Sequence, residues 1–261
     1  QALSEKAFLI LAGGALGAYV SQGMTFALSN YLYLFIWEFP STTFMIDLGF
    51  RQFVANGFAL YPIVLFLSVV VAFVALGPAH KKWGKPKVAT VTTLISMVLY
   101  LVPYGFYWFG IWPEIGSKAS TLLVFLFLLL SNSFGVMVMI SASSMVAEIV
   151  EAFEERTQRR AEGSFYSGYW FIQKCATGIG IFLSGLIIAA SALPEKAQPG
   201  EVAAPVIDSM ILLYSIAIIV LGIVSAWFMN RFPIDRAEHE ARLASLDAAT
   251  RGNLDGGPTI P

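Results

Sequence analysis

A lysine inside an apolar run is the residue of this sequence best placed to do chemistry. Lys174 lies within the segment 163–193, which holds no other charged residue and is apolar enough to cross a membrane. At about 1.5 Å of helix per residue, the lysine falls near the middle of the bilayer. A charge there costs about 2.5–3.5 kcal/mol on insertion scales and indicates a functional site. Two other interpretations of Lys174 are possible: its side chain reaches the membrane interface, or burial keeps its amine neutral.

Aromatic and amide side chains follow the same helical spacing as the lysine. Tyr166, Tyr169 or Trp170, Gln173 and Lys174 fall three or four residues apart. Aromatic rings stack on the apolar face of a sugar, and amide and amine groups meet its hydroxyls. The pattern predicts substrate contacts from Tyr169, Trp170, Gln173 and Lys174. The alternative is an aromatic stripe that packs against a neighbouring helix.

A second group of charges, in the run AEIVEAFEERTQRRAEG, precedes this segment. Glu148 and Glu151 are three residues apart at the end of one apolar run, and Arg160 and Glu162 open the next. Such charges form ion pairs that close one side of a transporter and break on the opposite stroke. The four residues are therefore a candidate cytoplasmic gate. The alternative is a solvated loop of mixed charge, in which ion pairs contribute little.

The elements that carry these residues are predicted from composition and hydropathy. The chain is 57% hydrophobic and 13% charged, against about 25% charged in soluble domains. A spanning helix needs about 20 mostly apolar residues, and six runs meet that length. The prediction is an all-α membrane protein with six transmembrane helices at about 7–37, 54–78, 88–112, 119–150, 163–193 and 207–230.

Orientation follows from the basic residues in the loops. Of the 16 Lys and Arg residues, twelve fall on one side of the predicted bundle and three on the other, with Lys174 between them. Basic loops stay in the cytoplasm, so both termini are predicted to be cytoplasmic. Residues 1–231 form the predicted bundle, and 232–261 form a cytoplasmic tail with a short amphipathic helix.

Several functional classes find no support in the sequence. A net charge of -1 without a basic block argues against a nucleic-acid partner, and the lipid bilayer is the expected surrounding. The two histidines, His80 and His239, fall in predicted cytoplasmic segments, and no metal-ligand cluster, phosphate loop or nucleophile motif occurs. We therefore expect no enzyme activity, metal or cofactor.

The run VAEIVEAFEERTQRRAEGSFYSGYWFIQK resembles the region of helices ten and eleven in the glycoside–pentoside–hexuronide cation symporters of the major facilitator superfamily. The shared pattern is an acidic pair, basic residues, R-x-E, Tyr-Ser and a lysine. These are Glu148, Glu151, Arg160, Glu162, Tyr166, Ser167 and Lys174. The resemblance implies that the six spans are a major facilitator superfamily half-bundle, equivalent to helices seven to twelve.

The resemblance also implies roles for these positions. Lys174 matches a lysine near the sugar and cation sites, and Tyr169, Trp170 and Gln173 match sugar-facing positions. The charged group matches residues that contact the other half on the cytoplasmic side. Family members often have Asp where Glu148 and Glu151 stand. They also have small polar residues near the positions of Tyr169 and Trp170, so the resemblance does not identify which sugar is bound.

The function that follows from the resemblance is cation-coupled symport of a sugar or glycoside by alternating access in the plasma (inner) membrane. The partners would be an N-terminal six-helix half and a sugar-like small molecule. The coupling cation, H⁺ or Na⁺, would bind mainly in that N-terminal half. The alternatives are a carrier of lysolipid or another organic solute with the same fold, and a stand-alone six-span scaffold or homodimeric half-transporter.

Overall fold

The computed structural model describes residues 2–47, 49 and 51–234, and within these residues it has six long helices and one β-hairpin. All six helices are long and apolar enough to cross a membrane, as predicted. The predicted tail helix lies outside the described residues. The helices are α1 (Lys6–Tyr31, continued by a π-helical turn at Leu32–Ile36), α2 (Gly57–Trp83), α3 (Lys85–Trp108), α4 (Lys118–Thr157), α5 (Glu162–Ala190) and α6 (Ala204–Met229).

The hairpin between α1 and α2 was not predicted. Its strands are β1 (Thr43–Asp47) and β2 (Gln52–Asn56), which pair in antiparallel register. The second span was predicted to begin at residue 54, whereas α2 begins at Gly57. The Asn56 side chain caps α2 by accepting a hydrogen bond from the Ala59 N–H at 3.0 Å. A short apolar run does not distinguish a strand from the first turn of a helix, which explains the difference.

One carboxylate orders the turn of the hairpin. Asp47 accepts hydrogen bonds from the Gly49 backbone N–H at 2.8 Å and from the Gln52 amide at 2.7 Å. The Gly49 bond, followed by the Gln52 bond, holds the pKa of Asp47 below its ordinary value, because both bonds favour the charged form. We call this end of the bundle the hairpin end. The opposite end carries the tight α2–α3 turn at Gly84.

The helices pack in an open arc. Neighbouring helices follow the order α5, α1, α6, α3, α4 and α2. The helices at the two ends of the arc are the least covered: in their most apolar stretches, 17% of α2 and 22% of α5 residues are buried, against 50% for α1. Helices α1 and α4 face each other across the inside of the arc and touch over only a short stretch. The arc therefore leaves a groove between α1 and α4 and free faces on α2 and α5.

The α1–α5 contact depends on glycine. A Cβ atom added to Gly23 would lie 2.2 Å from the Thr177 carbonyl oxygen, and one added to Gly180 would lie 2.2 Å from the Val20 carbonyl oxygen. Both obstacles are backbone atoms, which cannot rotate away. Small residues allow membrane helices to approach closely, and here they bring α1 and α5 into backbone contact.

We expect Gly180→Ala to destabilise the protein by about 1–3 kcal/mol or more, because the added methyl group must push α1 and α5 apart. The measurement is thermal unfolding of the purified protein in detergent. Gly105→Ala is the matched control, since a Cβ there meets no atom within 4 Å among the described residues. Alanine favours helix by up to about 1 kcal/mol over glycine, so this control should be neutral or stabilising. Equal unfolding temperatures for the two variants would contradict the close α1–α5 contact.

Candidate functional site

A cavity of about 290 Å³ lies in the groove between α1 and α4. Helices α3 and α6 lie behind α1 and α4 and form its floor, and α2 contributes Tyr61 and Leu65 at one edge. The residues with a side-chain hydroxyl or amide in the wall are Tyr19, Ser21, Gln22, Thr25, Ser29, Tyr33, Tyr61, Thr93, Ser96, Tyr100, Ser131, Asn132 and Ser225.

The wall is mostly apolar, contains several neutral polar side chains and carries no charge. Every hydrogen-bonding side chain among the described lining residues is neutral at pH 7, and the others are apolar, such as Met97, Val136 and Met139. A site that mixes apolar surface with a few convergent neutral polar groups suits an uncharged ligand with hydroxyl groups. The volume is just below the range of about 300–1,000 Å³ that is typical of ligand pockets.

Aromatic rings fill the bundle between the cavity and the hairpin end. Tyr33, which lines the cavity, stacks on Phe39 with ring centres 4.8 Å apart and contacts Tyr61 at 5.1 Å. Trp37 lies beside Tyr104, with ring centres 5.6 Å apart. The Tyr33 side chain extends from the π-helical turn at the end of α1. These rings separate the cavity from the hairpin.

The structure separates the four predicted substrate residues. Tyr169 is buried, and its hydroxyl lies 2.8 Å from the hydroxyl of Tyr19 in the cavity wall. Gln173 is partly buried, and its Oε1 atom makes no hydrogen bond with a described residue. Trp170 and Lys174 are exposed. None of the four lines the cavity, and Tyr169 is connected to it through Tyr19.

The exposed surface of α5 has two distinct sides. Ser167, Lys174 and Gly185 recur at spacings of seven and eleven residues, so they share one side of the helix. Phe171 and Phe182, 70% and 66% exposed, form a neighbouring side with large apolar side chains. A Cβ atom on Gly185 would meet no described atom within 4 Å, so the Lys174 side has open space. Ile181, 46% exposed and seven residues after Lys174, lies on the same side, so the charge of Lys174 stands beside both small residues and a large apolar one.

The four predicted gate residues do not form one network in the described residues. Glu148 is buried and forms an ion pair with Lys85, whose Nζ atom lies 2.8 Å from its Oε1 atom. Arg160 pairs with Glu162 at 2.8 Å on the surface, and the Glu162 hydrogen bond raises the pKa of the guanidinium group. Glu151 is exposed. The buried pair connects the start of α3 to α4, and the surface pair stays within the α4–α5 connection.

Further polar contacts hold α4 at the end opposite the hairpin. The His80 ring nitrogen Nε2 lies 2.8 Å from the Ser141 hydroxyl, which connects α2 to α4. Arg156 pairs with Glu5 just before α1. Together with the Lys85–Glu148 pair, these contacts connect α4 to α2, to α3 and to the residue that precedes α1.

Sequence reasoning did not identify Lys85 or the residues of the cavity. The basic residues around Lys85 are explained by the rule that basic loops stay in the cytoplasm. The sequence does not indicate that Glu148 is the partner of Lys85. Gln22 and Asn132 did give a signal, because amides are uncommon in apolar spans, but neither has a charge. Their joint role depends on helix packing.

Comparison with known proteins agrees with this architecture. The family model described as MFS/sugar transport protein matches residues 1–236. A protein of Synechocystis described as an uncharacterized symporter is 32% identical over 117 residues. The match covers 42% of this chain and 21% of the relative, so it spans about a fifth of that relative's length. No solved structure matches the chain.

We expect Lys85→Met to destabilise the protein, because it leaves the buried Glu148 carboxylate without its cation. Breaking a buried ion pair costs about 3–5 kcal/mol, and the effect here should be near the lower limit because the Lys85 side chain is 23% exposed. In the double variant, Glu148→Gln should restore much of the stability that Lys85→Met loses. The measurement is thermal unfolding of the purified variants in detergent.

The surface pair provides the control for this experiment. The Arg160 and Glu162 side chains are 69% and 50% exposed. Exposed pairs contribute little to stability, so Arg160→Ala should leave the unfolding temperature almost unchanged. If Lys85→Met lowered the unfolding temperature no more than Arg160→Ala, the buried pair would not stabilise the bundle.

Proposed function

The chain belongs to the MFS/sugar transport protein family, and we propose that it forms the C-terminal half of a cation-coupled sugar symporter. The chain is an integral membrane protein with six membrane-spanning helices in its described part. In the proposed protein, a preceding six-helix half completes the transport path. The two halves then rock against each other around a site between them.

The observation that carries the proposal is the uncharged cavity between α1 and α4, with the neutral polar side chains in its wall. Polar side chains inside a membrane protein are retained at a cost and mark substrate paths. A sugar offers many neutral hydroxyl groups and apolar C–H faces, and the wall has hydroxyls, amides, tyrosine rings and methionines. The neutral polar groups suit a sugar, and the apolar surface between them also suits a lysolipid, so uptake measurements separate the two.

The free surfaces of α2 and α5 support the presence of a second half. Both helices lie at an end of the arc, and both are largely uncovered. On α5, the apolar side with Phe171 and Phe182 suits lipid, whereas the side with Lys174 does not. We therefore propose that Lys174 faces the other half, where carboxylates of that half and a polar substrate surround it.

The coupling cation is proposed to be H⁺ or Na⁺ and to bind mainly in the other half. Cation binding calls for carboxylates or other oxygen ligands, and no carboxylate is among the described residues of the cavity wall. A cation and a sugar that stabilise the same closed state raise each other's affinity. The proposed location is the plasma (inner) membrane, with both termini of this segment in the cytoplasm.

The proposal assigns gating to the end opposite the hairpin. Glu148, Glu151, Arg160 and Glu162 all lie at that end, and contacts with the other half would add to the pairs described above. Trp170, Gln173 and Lys174 stay the predicted substrate residues at the surface of α5 that the second half would complete. Tyr169 is buried, and its predicted role would be exerted through Tyr19 of the cavity wall.

The experiment that tests the proposed function is uptake by the full-length protein in proteoliposomes. Radiolabelled neutral disaccharides are offered under an imposed Na⁺ gradient, an imposed proton gradient or no gradient. We expect accumulation of at least one disaccharide, driven by one of the two gradients. Uptake of lysophosphatidylcholine with no uptake of any sugar would favour the lysolipid carrier and overturn the proposal.

We expect Lys174→Gln to reduce gradient-driven sugar uptake at least about tenfold, because it removes the one charge on the α5 surface proposed to face the substrate. The measurement is initial uptake rate with and without the cation gradient. Phe171→Ala, on the apolar side of the same helix, is the control and should keep most of the uptake. Unchanged uptake and cation dependence in Lys174→Gln would mean that the lysine only reaches the interface.

A further inference from the structure

Most hydroxyl groups in the cavity wall are already used inside the protein. Thr25 shares a hydrogen bond with Tyr214 at 2.8 Å, and Ser96 donates to the Ser131 carbonyl at 2.7 Å. The other bonds of this kind are Ser29 to the Phe26 carbonyl, Thr93 to the Ala89 carbonyl, Ser131 to the Leu128 carbonyl and Ser225 to the Gly14 carbonyl. These groups shape the wall, but their donors are not available to a ligand.

Two neighbouring residues of α1 carry hydrogen-bonding groups that the protein leaves unused or poorly paired. The Ser21 Oγ atom is buried and makes no hydrogen bond with any described residue. The Tyr100 hydroxyl of α3 also has no such partner, but its ring packs among the rings of Tyr104 and Tyr214. The Gln22 side chain is exposed in the cavity, and its amide nitrogen donates to the Met139 sulfur at 3.1 Å. A thioether is a weak acceptor, so this amide has a poor partner that a better acceptor can replace.

Unused hydrogen-bonding groups are costly away from water. A buried hydroxyl without a partner loses its hydration and gains nothing in return, so a protein retains one where a ligand supplies the partner. A serine hydroxyl and a glutamine amide both donate and accept, and neither is charged. The ligand that satisfies both is itself neutral and has groups that donate and accept, which is the chemistry of sugar hydroxyls.

We propose that Ser21 and Gln22 are specificity-determining residues that bind hydroxyl groups of the substrate, with Gln22 exchanging Met139 for the sugar. This inference rests on the proposed function and names the residues of this half that select the sugar. The Met139 side chain then packs on an apolar face of the bound ring. The site is on α1, one side of the groove, and does not involve the α5 residues predicted from the sequence.

The test uses the full-length protein and the disaccharide that it accumulates in proteoliposomes. Uptake kinetics are measured for that sugar and for its monodeoxy analogues, each lacking one hydroxyl group. Ser21→Ala and Gln22→Met should each raise KM about tenfold, with a smaller change in kcat. Each variant should also lose the preference for the sugar over one particular deoxy analogue, because the group that recognised the missing hydroxyl is gone.

Stability provides a second measurement that separates binding from folding. Ser21→Ala removes an unsatisfied group, so the sugar-free protein should unfold at the same or a higher temperature, whereas the stabilisation by added sugar should fall. Ser184→Ala is the control: this buried hydroxyl of α5 bonds the Ile181 carbonyl outside the cavity, and its KM and analogue preference should match the unsubstituted protein.

The possible failures are distinct. Unchanged KM and unchanged analogue preference in both variants would overturn the assignment of Ser21 and Gln22 while sugar transport stands. A lower unfolding temperature for sugar-free Ser21→Ala would show a structural role and would also overturn it. If the unsubstituted protein takes up no sugar, the proposed function is wrong and the assignment fails with it.

Discussion

The lack of water in the membrane interior is the constraint on which this structure depends. Each backbone N–H and C=O group in that layer needs a partner within the protein, and helices provide one for nearly all of them. Side-chain polar groups obey the same rule here. Many serine and threonine hydroxyls of the spans bond the carbonyl three or four residues earlier, as Ser184 and Thr93 do. A buried hydroxyl that has no partner is therefore informative.

Helix α1 connects the stability of the bundle to its proposed activity. One side of it, through Gly23, is in backbone contact with α5, and Gly14 accepts a hydrogen bond from Ser225 of α6. Another side forms the cavity wall with Ser21 and Gln22. The close contacts hold the helix rigidly, which keeps the polar side in position. Binding sites on rigid elements recognise a ligand with less loss of entropy than sites on loops.

Hydropathy was sufficient to predict the six helices, because the length of an apolar run reports directly on the thickness of the bilayer. It was insufficient for the hairpin, where the three apolar residues Phe53, Val54 and Ala55 of β2 stand just before the long apolar run of α2. The grouping of Tyr169 with Lys174 also did not follow, since residues five apart on a helix differ in direction by about 140°. Tyr169 turns toward α1, and Lys174 turns away from it.

The sequence did not predict which residues of different helices contact each other. Lys85 and Glu148 are ordinary loop and helix-end charges until α3 and α4 come together, and then they form a buried ion pair. The cavity also depends on helix packing, because its polar residues come from five helices. One sequence carries the periodicity of each helix but not the angle at which two helices meet.

The length of α4 has a mechanical consequence. A helix of 40 residues is about 60 Å long, roughly twice the thickness of the hydrocarbon layer. Its final turns extend past the buried Glu148 to Arg156, about 30 Å from the level of the cavity by the same rise per residue. Over that length, a tilt of about 10° at the cavity moves the far end by about 5 Å. Any tilt of α4 at the cavity would thus be amplified along the helix into a displacement about as large as a side chain at the membrane surface.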